Sequence, residues 1–135
     1  MKVVLVVGLP ASGKTHWAQG RVANLLSQGI PAWLLDDPGT PEELERGLAF
    51  AHKQGVRMLF LTDPMLCQAP VREAAQETLA RLGHDVFMVQ FANEPGLCLR
   101  NAMRRPGKLV YALIEDLAPR YRLLKDFPVL PVYSG

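Results

Sequence analysis

The sequence predicts an α/β fold in which a five-stranded, mainly parallel sheet carries helices on both faces. Short apolar runs alternate with longer amphipathic segments along the whole chain of 135 residues. Continuous apolar strands between helices are typical of parallel sheets that are buried on both sides. No repeat, low-complexity segment or linker interrupts this alternation, so we expect a single domain covering residues 1–135. A glycine-rich loop directly after the first apolar run also supports this fold class.

Strands are predicted over the apolar runs at residues 3–7, 32–35, 57–61, 86–91 and 129–132. The helices between them are expected over about 14–28, 41–54, 70–82 and 94–104, with a long amphipathic helix over 109–124. Thr40 is a candidate N-cap, because Pro41 occupies the first helical position and Glu43 follows the cap by three residues. Gly29, Gly55 and Gly83 fall where helices end in a left-handed residue. These boundaries place every polar motif described below at the carboxyl end of a strand.

Residues 8–15 read GLPASGKT and match the pattern GxxxxGK[ST] between a strand and a helix. Glycines allow the backbone to curl around a phosphate, and the helix that follows adds its positive N-terminal end. Lys14 is expected to reach the β- and γ-phosphates, and the Thr15 hydroxyl to ligate Mg²⁺. The sequence therefore predicts a site for ATP and Mg²⁺, although ATP and GTP are not distinguished. The residues expected to bind the triphosphate are Gly8, Pro10, Ala11, Ser12, Gly13, Lys14 and Thr15.

Two adjacent carboxylates, Asp36 and Asp37, end the second predicted strand. One of them could accept the proton of an attacking hydroxyl, as a base does in phosphoryl transfer. Asp, Pro and Gly also favour turns, so the segment DDPG at residues 36–39 has an equally good structural explanation. Both interpretations remain open from the residues alone.

Asp63 follows the third apolar run and has the position of a Walker-B carboxylate, which supports Mg²⁺. The alternative is an aspartate that caps the next helix.

Arg100 and Arg104 lie one helical turn apart, so they share a helix face that could clamp the γ-phosphate. Pro106 and Gly107 provide a hinge on which a lid over about 94–110 could move. A structural salt-bridge face is the competing explanation.

Charge is distributed unevenly along the chain. Residues 1–99 contain eight Lys and Arg against ten Asp and Glu, whereas residues 100–135 contain seven against three. The excess includes Arg105 and Lys108, and it indicates either a solvated face or contacts to phosphates of ATP or of a nucleic acid. The two cysteines lack CxxC spacing, and no apolar run approaches the ~20 residues of a membrane span, so we expect a reduced, cytoplasmic protein.

The motifs together resemble the kinase module of bacteriophage polynucleotide kinase. The phosphate loop continues into THWA at residues 15–18, and the DD pair, the Thr62-Asp63 pair and the RNxxR motif at 100–104 follow in the family's order. The segment LPVYSG at 130–135 resembles the segment that closes the family's module. This resemblance implies that Asp36 is the general base, that Asp63 supports the metal and that 94–110 forms a lid. It also implies a phage origin, which would place the protein in the host cytoplasm.

The departures from this family concern the acceptor. Family members carry an arginine shortly after the DD pair, whereas residues 38–40 here read PGT. The stretch between Asp37 and Asp63 is also short, and a related set of phage kinases phosphorylates hydroxymethyl pyrimidines in DNA. We therefore expect an ATP- and Mg²⁺-dependent kinase acting on a DNA hydroxyl, with Asp36, Asp37 and Arg105 contacting the acceptor. A nucleoside or small-metabolite kinase and a switch ATPase without an acceptor are the alternatives.

Overall fold

The computed structural model describes residues 1–104 and 109–134. The predicted contributions of Arg105, Lys108 and the hinge at 106–107 lie outside the described residues, as does Gly135. Among the helices that are described, none is long and apolar enough to cross a membrane.

The sheet contains five parallel strands in the order β2-β3-β1-β4-β5. The predicted α/β class, the strand number and the parallel pairing are all confirmed. In chain order the elements are β1 Lys2–Val7, α1 Lys14–Ser27, β2 Ala32–Asp36, α2 Pro41–Lys53, β3 Met58–Thr62, a 3₁₀ turn Pro64–Cys67, α3 Ala69–Arg81, β4 Asp85–Phe91, α4 Pro95–Ala102, α5 Leu109–Leu117, a 3₁₀ turn Ala118–Arg120 and β5 Val129–Leu130.

Two hydrophobic clusters cover the two faces of the sheet. Side chains alternate along β1, so Val3, Leu5 and Val7 enter one cluster and Val4 and Val6 enter the other. The first cluster is closed by residues of α2, α3, α4 and α5, and the second by residues of α1. Strand β1 is thus buried on both faces, which explains its uninterrupted apolar sequence.

The ends of the helices follow the predicted local chemistry. The Thr40 hydroxyl accepts a hydrogen bond from the Glu43 amide at 3.1 Å, and Pro41 is the first residue of α2. Gly55 follows the C-terminal residues of this helix with φ 75°, a conformation that glycine adopts without steric cost. These contacts fix α2 directly after the turn that carries Asp36 and Asp37.

The prediction of one long helix over 109–124 is wrong. Helix α5 ends at Leu117, and the 3₁₀ turn Ala118–Arg120 follows it. Pro119 is responsible, because proline has no amide hydrogen to donate and its ring clashes with the preceding helical turn. The chain beyond is held by Gln90 of β4, whose side chain donates to the carbonyls of Leu124 and Phe127.

Candidate nucleotide-binding and transfer site

The loop over residues 8–13 leaves β1 and enters α1 through two left-handed residues. Ala11 has φ 61° and Gly13 has φ 102°, and the Ser12 amide donates to the Leu9 carbonyl at 3.2 Å. A Cβ atom at Gly8 would lie only 2.8 Å from the Ser12 Oγ and 3.0 Å from the Phe91 Cβ. The tight curl predicted from the glycines is therefore present, and Gly8 cannot be replaced without displacing its neighbours.

The Lys14 side chain is folded back into the loop, where its Nζ donates to the Leu9 carbonyl at 2.8 Å. The side chain is buried, and burial lowers the pKa of its ammonium group, whereas the nearby carboxyls of Asp36 and Asp63 act in the opposite direction. A single long cation held inside a glycine-rich loop is suited to a strongly anionic ligand such as a polyphosphate.

Asp36 lies next to the end of the loop. Its Oδ1 accepts a hydrogen bond from the Thr15 hydroxyl at 3.0 Å and a second one from the Thr62 hydroxyl. Thr62 is the residue of β3 that pairs with Asp36 of β2, which brings the two side chains together. Among the described residues, no partner is bonded to Oδ2 of Asp36. The carboxylate is therefore oriented through one oxygen and available through the other.

Asp37 occupies the turn after β2. Its backbone has φ 45°, its amide donates to the Thr62 carbonyl at 2.6 Å, and its side chain is exposed. Asp tolerates this left-handed conformation better than most residues do. Both interpretations of the pair thus have a structural counterpart: Asp37 forms the turn, and Asp36 contacts the loop.

Asp63 caps the 3₁₀ turn that follows β3, since its Oδ1 accepts from the Met65 amide at 2.9 Å. Burial raises the pKa of the Asp63 carboxyl, and the Asp37 carboxylate raises it further, against the opposing effects of the Met65 amide and Lys14. The capping interpretation is therefore correct, and it leaves one oxygen for a metal. The proposed metal role of Asp63 remains a prediction.

Helix α4 is bonded directly to the loop. The Asn101 Nδ2 donates to the Ala11 carbonyl at 3.0 Å and to the Tyr133 carbonyl at 2.6 Å. The Tyr133 amide in turn donates to the Ser12 carbonyl at 3.0 Å. The motif RNxxR by itself assigns no role to Asn101, because these partners are far away in the sequence. The arrangement fixes one side of the loop between α4 and the C-terminal segment.

The predicted arginine pair flanks this contact. Arg100 lies on α4 and Arg104 lies just beyond its end, both with exposed side chains. Of this motif, the structure brings Asn101 to the loop. The role of the two arginines toward a phosphate remains a prediction.

The residues of the loop fit a triphosphate and Mg²⁺. Ser12 is fully buried, and its Oγ has no hydrogen-bond partner among the described residues. A buried hydroxyl without a hydrogen-bond partner is uncommon in folded proteins, and this one belongs to the loop that leads into α1. Thr15 and Asp63 supply the oxygen donors that Mg²⁺ prefers. Within the described part of the chain, His, Cys, Asp and Glu form no cluster of three or more that could hold another metal.

Trp17 and the two cysteines have structural roles. The Trp17 ring packs edge-on against Phe60 and Phe91, with centroid distances of 6.0 and 6.4 Å. Both thiols are buried, and burial raises the pKa of Cys67 to about 12 and that of Cys98 to about 11. The thiols are therefore neutral near pH 7, so neither is an activated nucleophile.

Comparison with solved structures identifies the fold. The Mycobacterium tuberculosis APS kinase CysC, solved with AMPPNP and APS, has a TM-score of 0.61 and 22% identity over 96% of this chain and 87% of that one. Chaetomium thermophilum Kti12, solved with ADP-AlF3, has a TM-score of 0.60 and 16% identity, and the match covers 96% of this chain and 88% of that one. A putative fructose transport system kinase from Silicibacter sp. TM1040 has a TM-score of 0.58 and 16% identity, and the match covers 96% of this chain and 89% of that one. No family model and no curated protein matches the sequence. With its strand–loop–helix motif, the chain has the fold of P-loop nucleoside triphosphate-binding proteins.

Proposed function

We propose that this protein is an ATP-dependent kinase that transfers the γ-phosphate to a hydroxyl group, with a DNA hydroxyl as the principal acceptor. The observation that carries the proposal is the hydrogen bond between Thr15 and Asp36, which sets a carboxylate beside the phosphate loop. A carboxylate at this place can accept the proton of a hydroxyl that attacks the γ-phosphate. The kinase names of two of the similar structures agree with it.

The loop binds and orients the triphosphate. Its backbone amides and the N-terminus of α1 face the phosphates, and Lys14 exchanges the Leu9 carbonyl for phosphate oxygens. Thr15 and Asp63 would hold Mg²⁺, which when bound neutralises negative charge on the phosphates. Asn101 of α4 bonds to the Ala11 carbonyl and so holds the loop in position.

Asp36 accepts the proton of the acceptor. The hydroxyl oxygen forms a bond to the γ-phosphorus, the bond from that phosphorus to the β–γ bridging oxygen breaks, and ADP leaves. The proton moves to the free Oδ2 of Asp36, while Oδ1 stays bonded to Thr15 and Thr62. Arg100 and Arg104 neutralise charge that spreads over the transferred group.

DNA is proposed as the acceptor for two reasons. The motif order resembles that of polynucleotide kinases, and residues 100–135 carry seven Lys and Arg against three Asp and Glu. A 5′-hydroxyl end and a hydroxymethyl group on a pyrimidine base are both compatible with this chemistry. A small-molecule acceptor is the second candidate, and the apolar groove described in the next subsection favours it.

The test is transfer of labelled γ-phosphate from ATP to three acceptors in parallel. These are a 5′-hydroxyl oligonucleotide, an end-blocked duplex with 5-hydroxymethyl pyrimidines, and a mixture of free nucleosides. Asp36→Ala should bind ATP normally and lose transfer, and Lys14→Ala should lose transfer to every acceptor. Lys53→Ala, a change at an exposed residue of α2, serves as the control. ATP consumption with no labelled acceptor would instead identify an ATPase, and an active Asp36→Ala would remove that residue as the base.

A further inference from the structure

A groove of about 620 Å³ lies between helices α2 and α3. Its lining includes Leu44 and Leu48 from α2, and Ala74 and Ala75 from α3. Leu61 of β3 and Leu66 of the 3₁₀ turn after β3 line it as well. None of these six side chains can donate or accept a hydrogen bond. Volumes of this size and apolar walls are typical of sites for small organic molecules rather than of packing defects.

The groove reaches the carboxyl edge of the sheet beside the candidate base. Asp63 and the turn at residues 38–40 line it, and this turn follows directly after Asp36 and Asp37. The Asp63 carboxyl also interacts electrostatically with Lys14 in the phosphate loop. A molecule seated in the groove would therefore lie beside the turn that follows Asp36, the candidate base.

The charges around the groove select against an anionic occupant. Of the described residues that line it, Glu45 and Asp63 are acidic and Arg81, the last residue of α3, is basic. Asp36 and Asp37 add two carboxylates at the same edge. Among the described residues that line the groove, a phosphate would therefore meet more negative than positive charge.

We propose that this groove binds the hydroxyl-bearing part of the acceptor, and that this part is an uncharged, largely apolar ring such as a nucleobase or nucleoside. The inference rests on the kinase function proposed above, and it specifies the chemical class of the acceptor. Such a ring could belong to a free nucleoside or to a nucleotide of DNA whose phosphates remain outside the groove. In both cases the ring contacts the leucines and alanines, and its hydroxyl extends past Asp63.

Binding is measured by equilibrium dialysis of tritiated thymidine, cytidine, adenosine and guanosine against the protein saturated with AMPPNP. We expect at least one nucleoside to bind, and to bind more tightly than its own 5′-monophosphate. Ala74→Phe fills the groove from an exposed helix position and should weaken that binding by about tenfold or more. Ala80→Phe, on the same helix but outside the groove, should leave it unchanged. Binding of none of the four, equal binding by Ala74→Phe, or tighter binding of monophosphates would each overturn the proposal.

A competition experiment distinguishes a free nucleoside from a nucleotide of DNA as the source of the ring. A single-stranded oligonucleotide that displaces the bound nucleoside from wild-type protein assigns the groove to a base of DNA, and an oligonucleotide that does not displace it assigns the groove to free nucleosides. Dialysis measures nucleoside binding and does not depend on phosphate transfer. A wrong assignment of the groove can therefore be distinguished from a wrong assignment of the kinase function. If Ala74→Phe transfers labelled phosphate at the normal rate, the kinase proposal stands and the proposed role of the groove is overturned.

Discussion

The hydroxyl of Thr15 donates a hydrogen bond to the Asp36 carboxylate at 3.0 Å. These residues belong to α1 and β2, and strand β3 lies between β2 and β1 in the sheet. Asp36 therefore reaches the loop across β3, where the Thr62 hydroxyl bonds to the same oxygen. The first turn of α1 and the candidate base are thus connected, and Thr15 and Thr62 together orient the carboxylate.

Thr62→Val should lower kcat without changing the KM for ATP. The substitution keeps the shape of the side chain and the backbone carbonyl that accepts from Asp37, but it removes a hydroxyl that orients Asp36. Loss of such an orienting partner typically lowers activity by about 10- to 100-fold. Steady-state kinetics of labelled transfer measure the effect. Thr62→Ser retains the hydroxyl and should stay near wild type, so equal kcat values for the two variants would contradict the role.

The fold could be predicted because its signals are local. The apolar run of β1, the cap at Thr40 and the glycine at position 55 each act within a few residues, and the structure contains all three. The end of the last helix was missed although its cause is also local. The amphipathic pattern continues past Pro119, but the backbone cannot continue the helix there.

The candidate site could be predicted only in part, because its contacts connect distant residues. The loop and Asp36 follow from motifs, but the function of Asn101 depends on the Ala11 carbonyl 90 residues earlier. The function of Thr62 depends on the strand register that places it opposite Asp36. Neither the strand order nor this register is written in any single motif. The groove between α2 and α3 was missed for the same reason.

Gly13→Ala should destabilise the protein and displace the C-terminal segment. Gly13 has φ 102°, and an added Cβ would lie 2.9 Å from the Tyr133 Cβ. A left-handed backbone alone costs an alanine about 1–2 kcal/mol, and the close contact adds to this. Urea denaturation measures the loss in the free energy of unfolding.

Gly20→Ala is the matched control for that variant. Gly20 lies within α1, is exposed, and has no atom within 4 Å of the Cβ position. Alanine in a helix interior is more stable than glycine by about 0.5–1 kcal/mol, so this variant should gain stability. A Gly13→Ala protein that is as stable as Gly20→Ala would show that the loop does not require the left-handed residue.

Asp63→Asn should stabilise the protein near neutral pH and not in acid. Burial, followed by the Asp37 carboxylate, raises the pKa of folded Asp63 above its ordinary value of 3.8. The folded state therefore binds this proton more tightly than the unfolded state does. The contribution of Asp63 to stability is consequently present below pH 3.8 and is lost as the pH rises through the raised pKa.

Asparagine cannot ionise, but its Oδ1 can still accept from the Met65 amide, so the cap is preserved. The difference in the free energy of unfolding between Asp63→Asn and wild type should therefore be positive at pH 7 and approach zero below pH 3.8. Urea denaturation across this pH range measures it. A difference that is independent of pH would mean that the carboxyl titrates equally in both states.

Arg72→Met should raise the stability of the protein. Arg72 on α3 is 4% exposed, and its Nε has no hydrogen-bond partner among the described residues. Its electrostatic neighbours include Cys67 and Tyr121, and burial raises the pKa of both groups, so both are neutral near pH 7. The buried Nε has thus lost its hydration without a hydrogen-bond partner, and no described carboxylate forms an ion pair with Arg72.

Replacing buried charges with apolar side chains of similar volume is often neutral or stabilising by about 1–4 kcal/mol, and the gain is expected here because no ion-pair partner among the described residues is left behind. Arg46→Met, a change at an exposed residue of α2, should alter the free energy of unfolding by less than about 0.5 kcal/mol. Urea denaturation at pH 7 compares the two variants with wild type. A loss of stability in Arg72→Met beyond that in Arg46→Met would mean that the buried guanidinium has a compensating partner.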